Sequence, residues 1–438
     1  MISFNFFKSK IILVTFMLFA FTKDAYAYLD PGSGNAIICL LLSLAGAFVY
    51  YAKSLFYKFV SIFTEQKVNE EKNKQIAIFS EGKNYWLTYK PIVEELISQK
   101  VHFIYYSMDI HDPALTIDNV YMHSKYIGSN NRGYAKVGSL RTKILLTTTP
   151  NIGCAGYPLR RPKNVEKLCH VWHSISDTSA YHIGALDHYD VALTVGNWVE
   201  SSLRLIEKIR KLNKKEIIPV GLPYFDELRK IYDKKLLNYT KSMSTCVIES
   251  HPEHKTILVA PSWGAKSCLR VYGTGFIKNA LELGYNIIYR PHPQSIKVEN
   301  DFVKKVCSQF KLYKNFSFDC NSDPSDSMIK SDMMISDKSG VRFDYAFIYE
   351  KPVLTLDLPF DVMDEYEAIF LGKVWGEQEA ELIGKRLQLS EKDRIIDSIK
   401  ETMEFKATDI KGIRNKILCN YGSSAVQIVN WIKSECTQ

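Results

Sequence analysis

The nine cysteines form no Cys-x-x-Cys pair and lie far apart along the 438-residue chain, at 39, 154, 169, 246, 268, 307, 320, 419 and 436. An odd and scattered set of thiols argues against a disulfide framework or a zinc site and fits a reducing, cytosolic compartment. A strong charge excess is also missing. Lys and Arg total 56 against 48 Asp and Glu, a net charge of +8. That mild surplus suits a membrane surface or an anionic substrate and is too diffuse to indicate nucleic acid. No internal repeat is evident. Apolar residues at 46% and charged residues at 24% are ordinary globular usage, which excludes a wholly disordered or collagen-like chain. The length corresponds to about two or three domains.

Long apolar runs are confined to the N-terminus. Lys8 and Lys10 precede 12 apolar residues at 11–22, and Ala25-Tyr26-Ala27 is a small-x-small cleavage pattern. This run is too short to span a bilayer, which needs about 20 residues. A second stretch, 36–52, is uncharged over 17 residues, at the lower limit for a spanning helix. Tyr50, Tyr51, Phe56 and Tyr57 fringe it, and Lys53 and Lys58 flank its exit. Lysines outside both runs and a net −1 between them place the loop 28–34 outward and everything after about residue 60 in the cytosol. The organisation expected is a signal-like segment at 1–27, a transmembrane anchor at 28–58 and a charged linker at 59–75. A cleaved signal on an exported protein is the alternative, opposed by the lysine flanks and the unpaired cysteines.

Beyond residue 75 short apolar runs alternate with helical spacing. Strands are expected at 76–80, 101–108, 144–149, 168–172, 191–195 and 217–220, with helices at 86–99 and 198–212. After a polar stretch near 238–255 the pattern restarts, with strands at 256–260, 286–289, 333–336 and 353–356 and helices at 275–283, 301–310 and 340–349. Repeated β-α-β units with short buried strands mean parallel sheets covered on both faces. The reading is α/β, with Rossmann-like domains at 76–235 and 250–376 and a cleft between them. Helices at 377–438 are expected to pack back on both. Ligands of such sheets bind beyond the carboxyl ends of the strands.

Three strand ends in the second block carry chemistry. Ala260-Pro261-Ser262-Trp263-Gly264-Ala265-Lys266 is a small Gly-containing turn with a hydroxyl and a cation. An ordinary βα turn would account for it in isolation. In Arg290-Pro291-His292-Pro293 two prolines stiffen the loop that holds an imidazole. A histidine so held can donate to a phosphate oxygen or move a proton near neutral pH. Ser336-Asp337-Lys338-Ser339-Gly340 opens a helix, whose N-terminus attracts anions. Simple N-capping is its plainer explanation. Asp344 follows as a second acid suited to hydroxyls. In the first block Cys169-His170-Val171-Trp172-His173-Ser174 ends a strand. Positions 170 and 173 face opposite ways, and His173 is the better placed to reach the cleft. His182, Asp187 and His188 follow closely, but their spacing matches no standard metal motif. The turn at Gly221-Leu222-Pro223 reads as packing or a hinge.

His173, Arg290-Pro291-His292-Pro293, Ser336-Asp337-x-Ser339 with Asp344, and Lys351-Pro352-Val353 together resemble the CDP-glycerol glycerophosphotransferase family, the teichoic-acid-type polymerases and primases. The resemblance covers roughly residues 165–360. It implies a GT-B-like architecture and a metal-independent, cofactor-free transfer of glycerol phosphate from CDP-glycerol to a hydroxyl of a lipid-linked or polymeric glycan acceptor at the membrane, releasing CMP. It further implies His173 as base for the acceptor and His292 on the donor pyrophosphate. Ser336, Ser339, Lys338, Arg290, Ser262 and Lys266 would bind donor phosphate, and Asp344 the ribose or other hydroxyls. Ser174 and Gly340 stand where the family usually has Gly and Ser. Trp263-Gly264 replaces a loop that commonly carries Arg, so Lys266 or Arg270 would supply that charge. These departures mark a divergent member. The alternatives are a nucleotide-sugar glycosyltransferase, a nucleotide-sugar epimerase of the same architecture, and a non-catalytic GT-B-like membrane scaffold.

Overall fold

The computed structural model describes residues 75–243, 255–321, 323–358, 366–372, 374–376 and 379–437. All of these fall within one compact unit, Lys67–Gln438. The apolar runs at 11–22 and 36–52 lie outside the described residues. Among the described residues no helix is long and apolar enough to cross a membrane.

Two wholly parallel sheets organise this unit. The first has seven strands, β1 (Ile76–Ser80), β2 (Phe103–Ser107), β3 (Met122–Tyr126), β4 (Arg141–Thr147), β5 (Asn164–Val171), β6 (Val191–Thr194) and β7 (Glu216–Pro219). Their spatial order is β3-β2-β1-β4-β5-β6-β7. The second has six, β8 (Thr256–Val259), β9 (Asn286–Tyr289), β10 (Phe316–Phe318), β11 (Met333–Ser336), β12 (Val353–Leu356) and β13 (Gly384–Leu387), in the order β10-β9-β8-β11-β12-β13. The central strands are buried throughout because helices cover both faces. Alternation along β1 distributes its side chains: Ile76 and Ile78 join the core under the helices Trp86–Ser98 and Ser424–Thr437, and Ala77 and Phe79 the core on the opposite face. That second core continues without a break into the other lobe, through Phe225, Phe347, Leu258 and Met334.

Several boundaries differ from expectation, each for a physical reason. The helix Pro223–Met243 runs well past 235. Its lysines and aspartates made its end look like polar linker. The second sheet runs past 376, because β13 pairs with β12 from Val353↔Gly384 to Leu356↔Leu387. With Lys385 and Arg386 at its centre, this edge strand has no apolar run to announce it. The helix Ile395–Met403 then packs on the second sheet. The helix Ala407–Ile417 is tied to the helix Val341–Tyr349 by Arg414, which donates to the Phe347 carbonyl at 2.8 Å. The end of the helix Ala407–Ile417 also touches the first lobe, where Trp198 Nε1 donates to the Ile417 carbonyl at 2.9 Å, and the helix Ser424–Thr437 packs on the first lobe. Asp226 caps its start, accepting from Gly422 N at 2.9 Å and Ser424 Oγ at 3.1 Å. The turn at Gly221 is where this tail docks, since a Cβ there would meet the Cys419 carbonyl oxygen at 2.3 Å.

β13 closes on β12 only because residue 384 has no side chain. Its φ is 155°, and a Cβ would stand 2.1 Å from the Val353 carbonyl oxygen. Gly384→Ala is expected to destabilise the protein by about 2–4 kcal/mol. Urea unfolding followed by tryptophan fluorescence measures this, and an unchanged midpoint would contradict the register described.

Candidate active site

The second sheet reverses direction between β8 and β11, whose chain connections leave on opposite sides. The crevice beyond the carboxyl ends at such a switch point is where open α/β sheets hold ligands. Three loops meet there: residues 260–267 after β8, 290–293 after β9 and 337–340 after β11. Asp337 joins the first to the third. It is fully buried, and its carboxylate accepts from Ser262 N at 3.0 Å, Ser262 Oγ at 2.8 Å and Cys268 N at 2.9 Å. Glu299 holds the same loop from the other side, accepting from Gly264 N at 3.0 Å, Ser295 Oγ at 3.0 Å and Arg270 at 3.0 Å. These bonds, led by the Gly264 N–H, keep the Glu299 carboxyl below its usual range.

His292 sits between the prolines at the entrance of the helix Pro293–Val298 and caps it. Its Nδ1 accepts from Gln294 N at 3.1 Å, and its ring stacks over Trp263 at 6.5 Å. Burial lowers its pKa, opposed by the nearby charge of Asp337. The ring is therefore neutral near pH 7 with its proton on Nε2, because Nδ1 is an acceptor. His292 thus presents one N–H donor and no base. Exposed Lys338 and half-buried Ser339 follow Asp337, ahead of the helix Val341–Tyr349. Exposed Lys266 lies on the first loop.

Other expected donors have internal partners in this structure. Ser336 is fully buried and its hydroxyl donates to the Ala260 carbonyl at 2.6 Å. The Ser262 hydroxyl is used on Asp337. Arg290 pairs with Asp319 at 2.6 Å and donates to the Asn321 carbonyl at 2.7 Å, so it braces the loop after β10. Asp344, in the first turn of the helix Val341–Tyr349, lies at the joint between lobes, where it accepts from Tyr224 OH at 3.1 Å. Burial pushes its carboxyl up to about 7.

In the first lobe His173 follows β5 by two residues. Tyr85 meets its ring edge-on at 5.3 Å, and its Nδ1 is buried with no hydrogen-bond partner. Burial pulls its pKa down to about 4. His170 is fully buried and bonds Tyr181 OH at 2.9 Å, among Trp172 and Tyr189. Asp187 is bound to Arg210, and His182 stacks on Tyr366 at 4.6 Å. Arg210 also reaches Glu367 at 2.6 Å, and Trp375 N donates to Ser179 Oγ at 2.9 Å. These contacts bring the carboxyl edge around β5 and β6 against the segment that follows β12. Glu81, beyond β1, was missed by sequence reasoning, although it occupies a strand end.

Residues 170–433 match the family described as CDP-glycerol:poly(glycerophosphate) glycerophosphotransferase. The chain belongs to that family. Among solved structures, the wall teichoic acid polymerase TagF soaked with CDPG aligns with a TM-score of 0.54 at 16% identity, over 88% of this chain and 97% of that one. The UDP-GlcNAc 2-epimerase of Neisseria meningitidis aligns at 0.55 and 13% identity, over 82% and 100%. A glycosyltransferase of Rickettsia africae aligns at 0.51 and 12% identity, over 83% and 98%. At these identities the structures establish the fold alone, a GT-B-like pair of parallel-sheet domains. No curated protein sequence matches. The protein is a CDP-glycerol glycerophosphotransferase-like enzyme by family.

The Asp344 carboxyl, at about 7 in the folded state against about 3.9 when exposed, binds its proton more tightly in the fold. Its contribution to stability is complete below the unfolded value and is lost as pH rises through about 7. Asp344→Asn is therefore expected to gain stability over the wild type progressively between about pH 4 and about pH 7, and no further above it. Urea midpoints of both proteins across that range measure it, and a constant difference would remove the carboxyl from the joint's energetics.

Proposed function

We propose that this family member is a membrane-associated transferase. It moves glycerol phosphate, or a related alditol phosphate, from a CDP-glycerol-type donor to a hydroxyl of a lipid-linked or polymeric cell-surface glycan, releasing CMP. The observation that carries this reading is the convergence at the β8–β11 switch point of a proline-bracketed imidazole, with its proton on Nε2, and a helix entrance preceded by Lys338 and Ser339. Asp337 supports the convergence, since it holds the 260–267 loop and its charge reaches His292. These groups are donors and cations suited to a diphosphate. The acceptor oxygen forms a bond to the glycerol-bearing phosphorus while the bond from that phosphorus to the CMP oxygen breaks. His292 Nε2–H, the helix N-terminus and Lys338 offset the charge that builds on the leaving group. His173 takes the acceptor's proton. Burial holds its pKa at about 4. An anionic donor beside it favours the imidazolium and raises that value toward the working range.

The anchor belongs to the same proposal. The lysine-flanked runs at 11–22 and 36–52 would hold the enzyme at the membrane with its lobes in the cytosol, near a lipid-linked acceptor. A reporter fused after residue 70 is expected to be active only in the cytosolic configuration. Activity on the outer face alone would overturn that topology.

Full-length protein mixed with CDP-glycerol and membranes is expected to release CMP and neither UMP nor UDP. His173→Ala and His292→Ala should each lower that release about 100-fold or more. Loss of its cap costs His292→Ala about 0.5–2 kcal/mol of stability, well short of unfolding. Retention of full activity by both variants would refute the site.

A further inference from the structure

Glu81 stands directly beyond β1, where β1 and β4 diverge at the switch point of the first sheet. Its Oε1 accepts from Tyr134 OH at 2.7 Å and from Tyr157 OH at 3.3 Å, and the two phenols lie 3.4 Å apart. Oε2 has no hydrogen-bond partner among the described residues. The carboxylate is thus fixed by one oxygen and offers the other. Tyr85 connects it to His173: the charge of Glu81 acts on its phenol, and its ring meets the imidazole at 5.3 Å. On the neighbouring strand ends, Thr149 Oγ1 and His173 Nδ1 are buried without partners. Three polar atoms with unused capacity therefore line the carboxyl edges of β1, β4 and β5. Buried polar groups left in this state point to a polar ligand that completes them.

The chemistry selects the ligand. A carboxylate accepts from hydroxyls and repels phosphate, whereas the opposite lobe presents His292, Lys338 and a helix N-terminus, which do the reverse. We propose that Glu81, clamped by Tyr134 and Tyr157, is the acceptor-binding residue of the first lobe, taking the neutral polyol end of the acceptor and placing its hydroxyl beside His173. The inference rests on the transfer reading above, for it assumes an acceptor rich in hydroxyls.

The test uses full-length protein, CDP-glycerol and a glycerol-phosphate oligomer as acceptor probe. CMP release gives the KM for each substrate, and saturation-transfer NMR reports contact with the oligomer directly. Glu81→Gln is expected to raise the acceptor KM about 10- to 100-fold while the donor KM stays unchanged, and Glu81→Asp should recover part of the loss. The double variant Tyr134→Phe/Tyr157→Phe keeps the carboxylate without its clamp and should show the same selective rise, which preserves the test if Glu81→Gln does not fold. An unchanged acceptor KM, or an equal rise in both constants, overturns the proposal. If the wild type releases no CMP yet contacts the oligomer, and Glu81→Gln abolishes that contact, the acceptor site stands and the donor reading falls. A wild type that shows no contact with the oligomer overturns the proposal whatever its CMP release.

Discussion

The buried carboxylate of Asp337 is the constraint on which the second lobe's crevice depends. A charge removed from water is tolerated only when hydrogen bonds replace the lost hydration. Here two backbone N–H groups and a hydroxyl, all from residues 262–268, do so. The bonds join loops whose sequence positions differ by 75. They hold Trp263 where it can stack on His292, and they leave the segment 338–340 free to enter its helix. The result is a crevice whose buried carboxylate is saturated by protein donors.

The two lobes are joined by chemistry of a different kind. Their shared core passes through Phe225 and Phe347. Around it lie half-buried polar contacts, with Arg210 between Asp187 and Glu367 and with Tyr224 on Asp344. Apolar burial supplies cohesion without direction, and the polar pairs fix which surfaces meet. Asp344 is unlike the others, since its tyrosine partner brings no charge to balance its own.

The strands β9, β11 and β12 were legible to the residue because each is a short apolar run between turn signals. The edges were not. β3 reads Met-His-Ser-Lys-Tyr and β13 Gly-Lys-Arg-Leu, and an edge strand in contact with water needs no hydrophobic signature. In the site, the paired prolines made His292 conspicuous. A motif names potential donors, however, and does not say what they already bind. Ser336, Ser262 and Arg290 looked equivalent to Ser339 and Lys338 in sequence, and only three-dimensional neighbours separate the two groups. Glu81 was overlooked for the converse reason: its partners Tyr134 and Tyr157 are 53 and 76 positions away.

The last helix, Ser424–Thr437, lies against one of the first, Trp86–Ser98, and contributes Ile428, Val429 and Ile432 to the core beneath β1. During synthesis the amino-terminal lobe emerges from the ribosome long before the fourteen residues that complete its hydrophobic surface. It must wait, partly uncovered, until the whole carboxyl-terminal lobe has been translated. Completion of the first lobe's core is thereby coupled to synthesis of the whole chain.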